Sequence, residues 1–176
     1  MRRTLGVVMG LVVAGSMVPM APAHAAQRTV EDRIGDGVDG MDITSITVKN
    51  RRTSLILVVK VTDLKRRGQL GSVGFYLDTR PKRRGPEFAV GGGTSDGTDW
   101  GISPVRRWRP GMPIHCRVGM SVDYARDRVA FRVSPTCLGA YGKVRVIAGA
   151  SDTASGSQRS DWAPKRRTFT RWVHRG

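Results

Sequence analysis

The sequence predicts an all-β protein: a single antiparallel β-sandwich of about seven short strands, with one hairpin carrying a disulfide. Three observations carry that expectation. Apolar residues alternate with period two along most of the chain, and no stretch shows the stripe of an amphipathic helix. The alternating runs are short and are separated by turn-forming or basic clusters, as in sandwiches built from hairpins. Only two cysteines occur, Cys116 and Cys137, one on each arm of a single alternating pair.

The elements follow in chain order. Residues 1–25 have the form of a secretory leader, with Arg2 and Arg3, an apolar run from Leu5 to Val13, and the small-x-small triplet Ala23-His24-Ala25. The apolar run is shorter than the roughly 20 residues that span a bilayer. A secreted, extracellular chain beginning near Ala26 is expected, without a transmembrane segment in its mature part. Residues 26–41 read as an acidic, glycine-rich N-terminal segment, and 42–176 as the sandwich domain with a basic C-terminal segment.

Within that domain, Ile46 and Val48 alternate before Asn50-Arg51-Arg52-Thr53, and Leu55, Leu57, Val59 and Val61 alternate after it. This reads as a hairpin with Val48 opposite Leu55 and Ile46 opposite Leu57. Ile56 and Val58 make the second arm apolar on both faces, which predicts a place in the middle of its sheet or under a covering loop. Strands are expected at 72–78 (Val73, Phe75 and Leu77 inward), at 87–90 and at 143–148, with Phe169, Trp172 and Val173 in a last one. Residues 91–101 and 154–160 read as polar loops. The clearest strand is 114–124, where Ile114, Cys116, Val118, Met120, Val122 and Tyr124 share a face. After Ala125-Arg126-Asp127-Arg128, Val129, Phe131 and Val133 answer it. Placing Tyr124 opposite Val129, Val122 opposite Phe131 and Met120 opposite Val133 brings Cys116 opposite Cys137. Opposed Cα atoms lie about 4.5–5.5 Å apart, within reach of a disulfide. An even pair in an oxidising compartment is expected to be bonded.

The chain carries 30 basic and 14 acidic side chains, a net charge of +16. The leader removes two arginines and no acid. Such a charge attracts polyanions without specifying a fold. Basic clusters recur at Arg51-Arg52, Lys65-Arg66-Arg67, Lys82-Arg83-Arg84, Arg106-Arg107 with Arg109, and Lys165-Arg166-Arg167. Arg66, Arg67, Lys82, Arg83, Arg84, Arg106 and Arg107 are the candidate polyanion-binding residues. Loops gathered at one end would make a footprint; loops spread over both ends would leave a generally basic surface. Aromatic residues are not interleaved with these clusters apart from Trp108, so sequence-specific nucleic-acid recognition is not expected.

Asp32, Asp36 and Asp42, with Asp39 between them, crowd one glycine-rich segment and are candidate Ca²⁺ ligands. Their spacing is not that of an EF-hand. The competing reading makes them turn formers in a solvated arm. The stretch from Gly91 to Trp100 lacks the Lys-Ser/Thr of a phosphate loop. It offers a sugar-binding set instead, with Trp100 to stack on a ring and Asp96 and Asp99 to bind hydroxyls, unless Trp100 packs back on the sheet edge. No positioned histidine supports a catalytic triad, and His115 and His174 are too scattered for a His/Cys zinc site. The expected function is therefore that of a monomeric, secreted, non-enzymatic binding or interaction module, associating through basic loops with an anionic envelope or extracellular polymer. The alternative is a carbohydrate-binding-like module with a calcium-stabilised N-terminal segment.

The order of Asp32-Arg33-Ile34-Gly35-Asp36, Asp42-Ile43-Thr44, Phe75-Tyr76-Leu77-Asp78, Cys137-Leu138-Gly139, Val144-Arg145-Val146 and Asp161-Trp162-Ala163-Pro164 resembles small secreted actinobacterial proteins of unassigned activity that carry a two-cysteine β-hairpin. The opening Asp-x-x-Gly-Asp and the later Leu-Asp are also remotely similar to sandwich domains of the CBM9 and DOMON-like group. That likeness implies sugar, haem or calcium binding in some members. Arg80 stands where such modules often carry a second acid, a departure that counts against an inherited ligand site.

Overall fold

The computed structural model describes residues 26–37, 40–67, 71–152 and 159–176. The leader, Asp39 and most of the 154–160 loop lie outside the described residues. The strands are β1 (Ala26–Glu31), β2 (Ile43–Asn50), β3 (Leu55–Val61), β4 (Gly71–Asp78), β5 (Phe88–Gly93), β6 (Trp100–Arg106), β7 (Arg109–Pro110), β8 (Val118–Asp123), β9 (Arg128–Val133), β10 (Lys143–Asp152), β11 (Arg159–Ala163) and β12 (Val173–His174). One antiparallel sheet has the order β1-β2-β3-β9-β8. The other runs β11-β10-β4-β5-β6-β7, with β12 paired to the start of β10. Among the described residues there is no α-helix, and none is long and apolar enough to cross a membrane.

The fold is the predicted all-β sandwich. Ile46, Leu57 and Phe131 of the first sheet face Phe75, Leu77 and Val146 of the second in one fully buried core. Phe75 meets Phe131 edge to face across it, ring centroids 6.1 Å apart. The two-faced apolar strand, β3, lies in the middle of its sheet.

Both hairpin registers differ by two residues from those expected. Val48 pairs with Leu57 and Ile46 with Val59; Met120 pairs with Phe131 and Val122 with Val129. A shift of two keeps every side chain on its face, so the apolar pattern could not distinguish the registers. Polar groups decide them. Asn50, expected in the first turn, is fully buried at the end of β2: its amide donates to Val173 O (3.0 Å) and its Oδ1 accepts from Tyr141 OH (3.1 Å). The turn therefore starts at Arg51, whose N–H donates to Ser54 O. In the second hairpin Asp127 takes a left-handed φ of 49° after the 3₁₀ turn Tyr124–Arg126. Its carboxylate accepts from Leu64 N (2.8 Å) and its carbonyl from Val61 N (3.0 Å). Asp123 and Arg128 are thereby the last pair, and 124–127 is the loop.

The disulfide survives this correction by another route. Regular pairing stops at Val118–Val133, so Cys116 and Cys137 are not opposed in the ladder. The 3₁₀ turn Pro135–Leu138 doubles back instead and brings the two Cα atoms to 5.7 Å, with the bond formed. Residues 114–117 are not strand; Ile114 N donates to Ile102 O at the edge of the other sheet.

Further differences concern weak patterns. The segment 26–41 is not separate from the sandwich, because Ala26–Glu31 pairs along its whole length with β2 as an edge strand. Of 91–101 only 94–99 is loop: Gly91–Gly93 extend β5, and Trp100–Arg106 form β6. Glycine is required at position 92, where a Cβ would lie 2.7 Å from Trp100 Cβ and 2.9 Å from Asp99 O. Val173 is in a strand as expected, but Phe169 and Trp172 are not. They pack on Arg145, whose guanidinium carbon lies 4.8 and 4.6 Å from their ring centroids.

Candidate functional site

Antiparallel pairing sends the 51–54 turn, the β4–β5 connection (79–87), the β6–β7 turn and the segment after β11 to the same end of the sandwich. These carry four of the five basic clusters. Asp78 and Glu87 are the only described acidic side chains there, and both are buried and engaged. Asp78 Oδ2 accepts from Arg145 Nε (2.8 Å) and Nη2 (2.6 Å), and Oδ1 accepts from Arg80 N (3.2 Å). Glu87 accepts from Thr79 N (2.8 Å) and Thr79 OH (3.3 Å), closing the base of the β4–β5 connection. Both carboxylates anchor the loop that displays Lys82, Arg83 and Arg84, all exposed.

The β6–β7 turn is held just as firmly. Arg107 (φ 49°) and Trp108 (φ 68°) both adopt left-handed backbone, the geometry of a two-residue hairpin turn. For non-glycine residues this conformation costs roughly 1–2 kcal/mol each. Packing of Trp108 offsets it: the indole lies 5.7 Å from the Tyr76 ring and 5.6 Å from Phe169, its carbonyl accepts from Tyr76 OH, and Arg167 covers its ring. Between the two loops lies a cleft of about 580 Å³ lined by Arg83, Arg84, Arg106, Arg107, Trp108 and Glu87. None of the four arginines has an ion-pair partner among the described residues. Planar guanidinium forks of this kind match phosphate, sulfate and carboxylate oxygens.

The structure thus brings together five of the seven candidate polyanion residues. Arg66 and Arg67 are at the opposite end, in the β3–β4 connection, where Arg66 faces Asp96 (3.7 Å) and covers the Tyr124 ring (4.9 Å).

That opposite end holds the acidic residues. Asp36 and Asp42, both singled out by sequence, meet Asp161 of β11, which was not; one oxygen from each lies within 4.8 Å of the others. Asp32 sits beside them. Burial, reinforced by Asp161, Asp36 and Asp42 and opposed by a hydrogen bond from the Arg33 backbone, raises its carboxyl to about 6. Burial likewise raises Asp161, against hydrogen bonds from Ile43 and Trp162 N–H. No local signal marked Asp161 as a ligand beside Asp42, because its partner Ile43 is 118 residues away.

Of the sugar-binding set, Asp96 and Trp100 border one hollow with Tyr124 and Met120, while Asp99 does not line it. Trp100 is half exposed, and its indole N–H donates to Val118 O (3.2 Å), tying the ring back to the sheet edge. A larger groove, unforeseen from sequence, crosses the outer face of the second sheet. Gly149, Gly74, Gly91 and Gly101 stand in register on four neighbouring strands and floor about 690 Å³ between the stacked rings of Tyr76 and Trp162 and the prolines Pro110 and Pro113. Its lining contains no charged side chain.

Neither the comparison with protein-family models nor that with curated proteins returned a match.

Proposed function

We propose that this chain is a secreted, non-enzymatic binding module that holds an anionic envelope or extracellular polymer in the arginine cleft between the β4–β5 and β6–β7 loops. The observation that carries this reading is the convergence of Arg83, Arg84, Arg106 and Arg107 without ion-pair partners among the described residues, at an end whose two described acids are already engaged. Cations left unpaired on two braced loops favour an incoming anion, and one cleft concentrates their field.

Binding of an anionic polymer such as heparin or teichoic acid, measured between about 50 and 200 mM salt, tests it. Removing one cation that pairs with the polymer takes roughly 0.7–0.9 from the slope of log affinity against log salt, on the nucleic-acid scale. Arg84→Gln with Arg106→Gln should therefore flatten the slope by about 1.4–1.8. The control returns the two charges as Gln27→Arg and Thr29→Arg, exposed positions on β1. If it binds like the parent, with the same slope, there is no footprint and the proposal fails.

A second reading is favoured by the uncharged groove on the outer sheet face, whose stacked Tyr76 and Trp162 rings and bordering serines suit a neutral glycan. Under it, Trp162→Ala would abolish glycan binding that is insensitive to salt, while the arginine variants would leave that binding intact.

A further inference from the structure

The acidic end poses a physical problem that the anion-binding reading does not touch. Three carboxylates converge at Asp36, Asp42 and Asp161, the last two buried, in a molecule with net charge +16. Yet no basic side chain among the described residues lies within ion-pair distance of any of them. Like charges brought this close repel, and burial removes the water that would screen them.

The carboxylates are also held in place by the main chain. Asp42 Oδ2 accepts from Gly35 N (2.6 Å), Asp161 Oδ2 from Ile43 N (2.7 Å), and Asp161 Oδ1 from Trp162 N (2.6 Å). A second, independent observation comes from Asp42 Oδ1. It is buried on a residue only 5% exposed and has no hydrogen-bond partner. A buried carboxylate oxygen without a donor is costly unless something absent from the chain satisfies it. That oxygen lies on the side of Asp42 that meets Gly37 and the Asp161 side chain. A Cβ at Gly37 would fall against Asp42 Oδ1 and 2.7 Å from Asp161 Cβ and Cγ, so only glycine fits against the two aspartates.

We propose that Asp36, Asp42 and Asp161 form a Ca²⁺ site that clamps the β1–β2 connection to β11. The three ligand oxygens lie within 4.8 Å of one another, close enough for one ion at Ca–O distances of about 2.3–2.6 Å to reach all three. Three hard oxygen donors, two of them reaching from a glycine-containing loop, fit the variable geometry of Ca²⁺ better than the rigid octahedron of Mg²⁺. The bound ion would supply the donor-side partner that Asp42 Oδ1 lacks and would convert mutual repulsion into a cross-link between distant parts of the chain.

The test is thermal unfolding of the mature protein in chelator and in about 5 mM Ca²⁺, at matched ionic strength. Extracellular modules bind Ca²⁺ with Kd on the order of 10⁻⁴–10⁻³ M, so a rise in Tm of about 2–9 °C is expected. Asp36→Asn supplies a crossover: Asp36 is exposed, so the fold does not depend on it. In chelator the variant should melt at or above the parent temperature, because one repelling charge is gone; in Ca²⁺ the parent should overtake it. Identical parent curves with and without Ca²⁺, or a full Ca²⁺ response retained by Asp36→Asn, would overturn the site. An equal shift with Mg²⁺ would reject it in favour of general screening. Polymer binding through the arginine cleft is measured separately and is unaffected by either outcome.

Discussion

Asn50→Ala should be among the most damaging single substitutions of a polar residue in this chain. Asn50 is fully buried at the end of β2, where its side chain joins three distant segments: its own strand, β12 through Val173 O, and the β9–β10 connection through Tyr141 OH. Removing the amide strands the Tyr141 hydroxyl and the Val173 carbonyl on residues that are themselves buried. Burial pushes the Tyr141 phenol above its usual range, with Arg175 over its ring opposing, so the group stays a neutral donor in need of an acceptor. Leaving a buried polar group unsatisfied costs about 1–3 kcal/mol, so the two together should cost about 2–6 kcal/mol. Equilibrium urea unfolding of the oxidised protein would read this as a midpoint lowered by roughly 1–3 M for slopes near 2 kcal/mol/M. Tyr141→Phe removes only one of the bonds, and the double variant should cost less than the sum of the singles, since the shared bond can be broken only once. A destabilisation below about 0.5 kcal/mol, the size typical of an exposed loop residue, would refute the burial of Asn50. It would also restore the hairpin with Val48 opposite Leu55.

Two other outcomes follow from the same structure. Replacing Cys116 and Cys137 together by alanine should lower stability by about 3 kcal/mol in the chain-entropy model, given the 21-residue separation, while the far-ultraviolet spectrum keeps its β character. Retained stability in the double variant would show that the cross-link constrains the unfolded chain little. In chelator, stability should fall as pH rises from about 4 to 6. Asp32 and Asp161 have carboxyls raised above the unfolded value of 3.8, chiefly by burial, so the native state holds more protons than the unfolded chain across that window. Tm measured against pH should slope downward there, and a rising Tm over the same interval would contradict the raised carboxyls.

Period-two alternation was enough to assign the fold class and the inward faces of β3, β4 and β9, while the choice between a central and a loop-covered β3 came from the sheet order. Fold class and inward faces depend on which residues can leave water, a property each residue carries wherever its partner strand falls. Register was not legible, because sliding a hairpin by two leaves every apolar residue inside. Asn50 and Asp127 decide it through hydrogen bonds to Val173, Tyr141, Val61 and Leu64, none of them neighbours in sequence. The disulfide partners were legible only because the chain has just two cysteines. Their approach depends on a 3₁₀ turn rather than on the ladder expected to bring them together.

The sites divide in the same way. The basic loops and the aspartates near Asp36 stand out in composition, but charge in a sequence has no direction. Topology alone put Arg83, Arg84, Arg106 and Arg107 around one cleft, sent Arg66 and Arg67 to the other end, and delivered Asp161 to Asp42. Local chemistry is written residue by residue. Convergence of residues far apart in the chain follows from how the strands are ordered and paired, and that order is set by the packing of the whole core.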